Sequence, residues 1–353
     1  MYEKPPPNLE AIAAAAGVSR MTASRALRNA RGVTPATRER VLAAAEKLGW
    51  KPNPLVSAFM SYVRTKKHQG NAGVLAYITN DLTRDGWRKL DAYTRFYNGA
   101  LARAERRGYR LEEFWLRERG MTTQRLSRIL CARGIRGVII GPMRSPHGHL
   151  NLDWDQFSAA TIGYSLLKPG LSRATNDQYG TMLVTQRELR RLGCDRIGLM
   201  LPQTDDARVH YHWSAAYLSH HWRYNQQLKP LMYLPAGKWN DEAAFQWIRR
   251  TRPQVVVTTS SHFYRRMLEA GFDIPGEIAF ANLDWSPNQA PAAGVDQQAE
   301  EVGGAAVDLV VDQINKNETG VPACPKTVLV TGKWMGGSTV RKVVAGRSMK
   351  GHA

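Results

Sequence analysis

The sequence predicts an α/β protein in which a small three-helix module and a connecting hinge precede a larger two-lobed body built on parallel sheets. Three observations carry this. Charge is unevenly spread: residues 1–67 hold 12 Lys or Arg against 4 Asp or Glu, and the rest of the chain 37 against 26. Two short helical stretches separated by a glycine turn open the chain. From Ala72 onward, short strand-forming runs alternate with helical stretches of about 12 residues, the pattern of a parallel sheet.

At 353 residues and 43% hydrophobic content, the chain can bury the cores of two or three domains. The formal net charge of +19 points to a polyanionic partner, nucleic acid or an anionic membrane surface. Cys131, Cys194 and Cys324 are scattered without a C-x-x-C, which excludes a disulfide scaffold and a zinc finger and fits a reducing compartment. No run approaches the roughly 18 to 20 apolar residues of a membrane span. The start, Met1 to Pro7, does not read as a signal peptide. The expectation is a cytoplasmic protein with no membrane partner.

In the first element, Asn8 caps a helix through Leu9, Ile12, Ala13 and Ala16, with Glu10 in the favourable first turn. Gly17 supplies the turn, because only a residue without Cβ takes positive φ cheaply. Ser19 caps a second helix, Arg20 to Asn29, with Val18, Ala23, Ala26 and Leu27 inward and Arg20, Met21, Ser24, Arg25 and Arg28 outward. Ala13 and Ala14 are expected to let these two helices approach closely. Thr34-Pro35 starts a third helix, whose apolar stripe is Val41, Leu42, Ala45 and Leu48 and which Gly49 ends. Two helices about a tight turn, closed by a third, make a helix-turn-helix. Outward arginines suit guanine edges in the major groove, and hydroxyls at Ser19, Thr22 and Ser24 suit phosphate oxygens. A plain three-helix bundle is the alternative.

Leu9-Glu10-Ala11-Ile12-Ala13, then Ala16-Gly17-Val18-Ser19-Arg20-Met21-Thr22-Ala23-Ser24-Arg25, resemble the headpiece of the LacI/GalR (lactose repressor-like) family. So do Val33-Thr34-x-x-Thr37-Arg38-x-Arg40-Val41 and Leu48-Gly49-Trp50-x-Pro52-Asn53. The resemblance implies a homodimeric, ligand-responsive transcription factor that binds pseudo-palindromic operators. It places Arg20 and Met21 where the family varies its base readers, and Arg25 on a base-contacting arginine. Ser19, Thr22, Ser24, Asn29 and Thr37 fall on positions that touch phosphate or sugar. Ala23 and Ala26 replace the usual valines, so this core is expected to be thin. Pro52 to Tyr62 corresponds to a hinge helix, with Asn53 at its start and Phe59 where a leucine wedges into the minor groove. Ala58 departs from a polar or basic habit. Burial against the body is the alternative role for Phe59. Arg64 to Gly70 reads as a basic linker.

In the body, strands are expected at Gly73–Ile78, Leu111–Trp115, Gly137–Ile140, Ala159–Tyr164, Arg196–Leu201, Val255–Val257 and Ile278–Phe280. Helices are expected at Tyr93–Arg107, Thr122–Arg133, Gly180–Leu192 and Glu300–Asn315. Ligands of such folds sit at strand C-terminal ends, in the crevice between lobes. Asn176-Asp177, Leu189-x-x-Leu192-Gly193-x-x-Arg196-Ile197 and Ala270-Gly271-Phe272-x-Ile274-Pro275-x-x-Ile278-Ala279 resemble the periplasmic-binding-protein-like body of the same family. The resemblance makes Asp284 the foremost effector contact; Trp285, directly after it, is expected to stack on the ligand because indole faces suit sugar rings and other flat ligands. It also puts Tyr77, Thr79, Arg208 and His210 near the pocket. His210 stands where the family has an effector-binding arginine, so Arg208 or His210 is the substitute. The segment Thr258 to Met267 is about one helical turn short, and the loop from Asn80 to Tyr93 is long.

Trp87, Trp213, Trp222, Trp239 and Trp285 fall on expected loops or strand ends, where indole faces suit flat ligands, with core packing as the alternative. His210, His212, His220 and His221 cluster in sequence but lack carboxylate or thiolate support for a metal. Asp205-Asp206 has no partner acid, Gly303-Gly304 reads as a helix start, and no nucleophile, Walker or dinucleotide motif is visible. No catalysis, metal or cofactor is expected. The expected domains are a DNA-binding headpiece (1–52), a hinge and linker (53–70), a two-lobed effector-binding and dimerisation domain (71–340) and a basic tail (341–353). The expected function is a repressor, dimeric with a tetramer left open, that binds a double-stranded operator and a sugar-like effector. The alternatives are a DNA-binding regulator with a degenerate pocket, and a solute-binding protein or enzyme with an incidental helical extension.

Overall fold

The structure is a computed structural model, and it describes residues 8–27, 32–50, 73–289 and 291–342. At the N-terminus, α1 (Leu9–Ala16), α2 (Arg20–Leu27) and α3 (Pro35–Lys47) pack against one another. Each start is capped by a side-chain oxygen. Asn8 Oδ1 accepts the Ala11 amide at 2.9 Å, Ser19 Oγ the Thr22 amide at 3.1 Å, and Thr34 Oγ1 the Thr37 amide at 3.3 Å. Such caps contribute about 1 kcal/mol each. Gly17, at φ 64°, ends α1 and turns the chain into α2.

The core of this module is Ile12, Ala13, Ala16, Ala23, Ala26, Val41, Ala44 and Ala45. It is nearly all alanine, so the helices approach closely but bury little area. Two expectations need correction. Ala14 is exposed, and the close approach of α1 and α2 rests on Ala13 and Ala16 instead. Leu42 and Leu48 are exposed as well. Helical phase puts Ala44 and Ala45 on the same face as Val41 and turns Leu42 about 100° away, while Leu48 lies just past the last helical residue. The expected end of α2 at Asn29 lies outside the described residues, as do Asn53 and Phe59 of the hinge and residues 343–353 of the tail.

The body holds two six-stranded sheets. The first contains β1 (Gly73–Thr79), β2 (Tyr109–Trp115), β3 (Gly137–Ile140), β5 (Ser158–Ile162), β7 (Ser172–Asn176) and β13 (Thr327–Val330). Its order is β13-β7-β5-β3-β1-β2, with all neighbours parallel. A two-stranded ribbon, β4 (Gly148–His149) and β6 (Leu166–Lys168), lies beside it in sequence. The second sheet contains β8 (Ile197–Met200), β9 (Leu231–Tyr233), β10 (Val255–Thr258), β11 (Ala279–Trp285), β12 (Ala293–Asp296) and β14 (Lys333–Met335). Its order is β14-β12-β11-β10-β8-β9, and only the β12–β14 pair is antiparallel.

Helices cover both faces of each sheet, because strands apolar on both sides need two apolar layers. On the first sheet, α4 (Asp91–Arg106) and α11 (Ala299–Lys316) pack on one face and α5 (Thr123–Ala132) on the other. On the second, α6 (Gln178–Arg191) and α8 (His212–Tyr224) take one face. There α9 (Asp241–Thr251) and α10 (Ser261–Glu269) take the other. A short helix, α7 (Gln203–Arg208), follows β8. Gly303 and Gly304 lie about a turn inside α11 rather than at its start. A Cβ on Gly303 would come within 1.9 Å of the Phe96 carbonyl oxygen, and one on Gly99 within 1.9 Å of the Glu300 carbonyl oxygen. So α4 and α11 touch backbone to backbone, which only glycine allows.

The chain passes between the lobes three times: after β7, after β12 and after β13. One side chain ties these passages together. The Asn176 amide donates to the Gln297 carbonyl at 3.1 Å and to the Val330 carbonyl at 3.0 Å, and its oxygen accepts the Thr181 hydroxyl at 2.8 Å.

Candidate functional site

Two surfaces gather the chemistry. The first is the outer side of α2. Capping by Ser19 presents the helix start, while burial of Ala23 and Ala26 turns Arg20, Met21 and Arg25 outward. Met21 is 65% exposed. Arg20 Nη1 sits 3.2 Å from Glu10 Oε1, but both side chains are mostly in solvent and the pair is weak. Arg25 makes no hydrogen bond or ion pair among the described residues. The Ser19 and Thr22 hydroxyls lie 2.9 Å apart beside the free amides of the first turn, and Ser24 is half-buried. Thr37 lies at the start of α3, its hydroxyl accepting from Thr34 Oγ1 at 2.8 Å. A guanidinium on such a helix can span both acceptors of a guanine edge, and the hydroxyls and amides can take phosphate oxygens.

The second surface is the cleft where the strand C-terminal ends of the two lobes meet. Tyr77 and Thr79, at the end of β1, are buried. They line a cavity of about 20 Å³ with Asn80, Asp81, Trp87, Tyr93, Gly141, Pro142 and Arg144. That volume has room for about one water. Burial pushes the Tyr77 hydroxyl well above the ordinary tyrosine range. The long loop after β1 folds back through Trp87, whose indole N–H donates to Glu113 at 3.0 Å. The same carboxylate accepts from Thr79 at 3.3 Å and from Arg88 at 2.7 Å.

Arg208 crosses the cleft. From α7 of the second lobe it donates to the Arg144 carbonyl at 2.7 Å, the Met143 carbonyl at 2.9 Å and the Tyr93 hydroxyl, all on the first lobe. Asp284, near the end of β11, faces the same junction. Burial raises its carboxyl to about 6; Arg95 opposes the rise, and Asp91, Asp296 and Asp205 add to it. Burial also raises Asp205, while Thr259 and Arg208 pull it down. Tyr93 links these groups, since both Arg208 and Asp284 act on its hydroxyl.

The remaining candidates sit apart from this cavity. His210 adopts φ 54° and packs on the Tyr164 ring at 4.8 Å, with His212 against the same ring at 5.1 Å. Burial lowers its pKa, and Arg173, His212 and His147 lower it further. Trp285 turns its N–H into its own loop, donating to the Ala292 carbonyl at 2.8 Å, and is partly buried. Trp213 and Trp222 lie on α8, not on loops; Trp213 is buried and Trp222 exposed. The histidine cluster divides likewise, since His221 Nε2 donates to the Leu228 carbonyl at 2.6 Å and His220 packs on Tyr224. Among the described residues no three His, Cys, Asp or Glu side chains gather as a metal site, and no helix is long and apolar enough to cross a membrane.

Sequence reasoning missed Tyr93, Arg144, Glu113 and Asp205 as cleft residues. Tyr93 was legible only as the opening of a helix, and Arg144 and Glu113 as ordinary charged positions. Asp205 was visible beside Asp206, but the second of the pair is structural: its Oδ1 accepts the Ser214 amide at 3.3 Å in the first turn of α8.

A helix-turn-helix module with an outward arginine helix, on a body whose two parallel-sheet lobes close over a cleft, defines a class of DNA-associated regulators. Residues 8–53 match the model for bacterial regulatory proteins of the lacI family, and residues 187–340 match the periplasmic binding protein-like domain. The chain belongs to the LacI family of transcription regulators, a family of regulators rather than enzymes.

Similar solved structures include a complex of the transcriptional regulator CelR with cellobiose, 22% identical, with a TM-score of 0.55 and 94% of this chain and 99% of that one covered. Another is a lac repressor dimer bound to operator and the anti-inducer ONPF, 18% identical, TM-score 0.56, covering 95% and 99%. A third is the LacI family regulator CCPA from Weissella paramesenteroides with bound glucose, 14% identical, TM-score 0.55, covering 76% and 99%. At these identities the likeness is one of fold. No curated protein sequence matches the chain.

Proposed function

We propose that the chain is a ligand-responsive repressor that binds a pseudo-palindromic DNA operator as a dimer. The observation that carries this reading is the exposed Arg25, with no ion pair or hydrogen bond among the described residues, on a capped second helix. In this reading Arg20, Met21 and Arg25 inspect base edges, while Ser19, Thr22, Ser24, Asn29 and Thr37 hold phosphate or sugar. The headpiece is residues 1–52 and residues 53–70 the hinge, with Asn53 at its start and Phe59 as a minor-groove wedge. Residues 71–340 bind the effector and dimerise, and residues 341–353 form a basic tail. The chain works in the cytoplasm, where its operator is.

The effector is a sugar or related metabolite held between the lobes by Tyr77, Thr79, Arg208, His210, Asp284 and Trp285. Support comes from aromatic and carboxylate groups at the strand ends and from relatives whose structures carry cellobiose or glucose. The test has two arms. A duplex selected from a random pool by the full chain should lose specific binding to Arg25→Ala. A thermal-shift screen of sugars and metabolites should raise the melting temperature. A chain that selects no duplex sinks the regulator reading.

One observation favours a second reading, a regulator that answers to no small molecule. Arg208 is already engaged by the first lobe, and the cavity beside it is about 20 Å³, too small for a sugar. A screen with no shift, together with retained operator binding, selects that reading.

A further inference from the structure

The end of the first lobe opposite the cleft carries a collar of arginines around the point where the chain enters from the headpiece. In a parallel sheet every strand start lies on one edge. Here β1 is the middle strand of β3-β1-β2, with Gly73 paired to Tyr109 and Leu75 to Gly137. The residues before and at the starts of β2 and β3 therefore bracket Gly73. On the β2 side are Arg106, Arg107 and Arg110, and on the β3 side Arg133 and Arg136, all exposed.

Part of this charge is already neutralised. Arg107 pairs with Asp308 at 2.6 Å and Arg133 with Glu112 at 2.6 Å, while Arg110 stands 3.9 Å from Glu112. Arg106 and Arg136 make no ion pair among the described residues. The collar thus offers net positive charge in a planar, bidentate form suited to phosphate oxygens.

Resting on the reading of the headpiece as a DNA-binding module, we propose that Arg106, Arg110 and Arg136 contact the sugar-phosphate backbone of the operator duplex outside the base pairs that the headpiece reads. The tether makes weak contacts effective. Residues 51–72 join the headpiece to this edge, and once the headpiece is seated the collar meets the flanking duplex at a high local concentration. No base edge is involved, so the collar adds affinity and footprint without sequence preference.

The experiment uses the full chain and a duplex that it selects from a random pool, in two lengths: one trimmed to the half-sites and one extended about ten base pairs on each side. Affinity is measured against salt for the native chain, the triple variant Arg106→Gln/Arg110→Gln/Arg136→Gln, the matching triple Lys variant, and Arg25→Ala. Each phosphate contact adds about 0.9 to the slope of log affinity against log salt. The proposal expects the Gln variant to lose about 10-fold in affinity and at least one unit of slope on the long duplex, and nothing on the trimmed one. The Lys variant should keep most of both, and an unchanged melting temperature checks folding. Equal slopes and affinities for the native chain and the Gln variant on both lengths overturn the collar while leaving the headpiece reading intact, as they would if the collar served an acidic protein instead. If the native chain selects no duplex, or Arg25→Ala binds as the native chain does, the headpiece reading fails and takes the collar with it.

Discussion

Arg25 and Arg208 show how differently one residue type is used at the two ends of this molecule. On α2 the guanidinium stands in solvent with no partner among the described residues, while in the cleft it is bound by two backbone carbonyls and a tyrosine hydroxyl. The outer face of α2 therefore leaves its guanidinium exposed to solvent, and the cleft is already occupied by the protein's own side chain. A partner at the first surface meets a group that gives up only water. A ligand at the second competes with an existing set of hydrogen bonds, each worth about 1.5–3 kcal/mol to a charged donor.

The contrast extends to the cores. The lobes bury Tyr77, Phe157, Phe280 and many branched residues, whereas among its described residues the headpiece buries only Ile12 and Val41 beyond its alanines. The largest expected effect follows. Ile12→Ala should cost about 2–5 kcal/mol, enough to unfold the headpiece while the lobes keep their melting transition. Calorimetry with separate headpiece and body transitions checks it, and a single joint shift would break the contrast.

Next comes Arg25→Ala, expected to lower specific operator affinity by about 1–3 kcal/mol per half-site and to relax sequence preference, as read by binding to matched and mismatched duplexes. Arg208→Ala should open the cleft. Its expected signs are a larger radius of gyration in solution scattering and a body less stable by about 2 kcal/mol. An unchanged radius would mean that the latch does not hold the lobes.

The pH effect is smaller. Asp284 titrates higher in the folded chain than in the unfolded one, so the fold holds a proton that the unfolded chain releases. Its contribution to stability is fully present in acid and declines as pH rises, flattening above about 6. Asp284→Asn should therefore raise the melting temperature more at pH 7.5 than at pH 4. The smallest expected change is Glu10→Gln, which removes a largely solvated ion pair. Stability should shift by less than about 1 kcal/mol, with slightly tighter duplex binding as Arg20 is freed.

The headpiece was legible almost residue by residue, because its caps and turn are local. Asn8, Ser19, Thr34 and Gly17 each act within three or four positions of themselves. Its errors, Ala14, Leu42 and Leu48, were errors of phase in short helices with few large side chains. In the body seven strands and four helices were readable to within a few residues, but β7, β9, β12, β13 and β14 and the helices α8 and α9 were not expected; α8, with its many His and Trp residues, lacks a clean apolar period. The cleft was least legible. Tyr77 and Thr79 could be placed at a strand end, yet the Arg208–Tyr93 contact joins residues 115 apart in sequence, and no local pattern announces it. Trp285 was legible beside Asp284, but that its N–H is taken by the Ala292 carbonyl of its own loop was not.

Asn176 has a mechanical consequence. Because one amide fastens all three interlobe passages, relative motion of the lobes is restricted to bending about that pin, and sliding or separation would break bonds to two other segments at once. A clamshell with a single axis converts any object lodged in its mouth into a change of angle, and the size of that object sets how far the far ends of both halves swing.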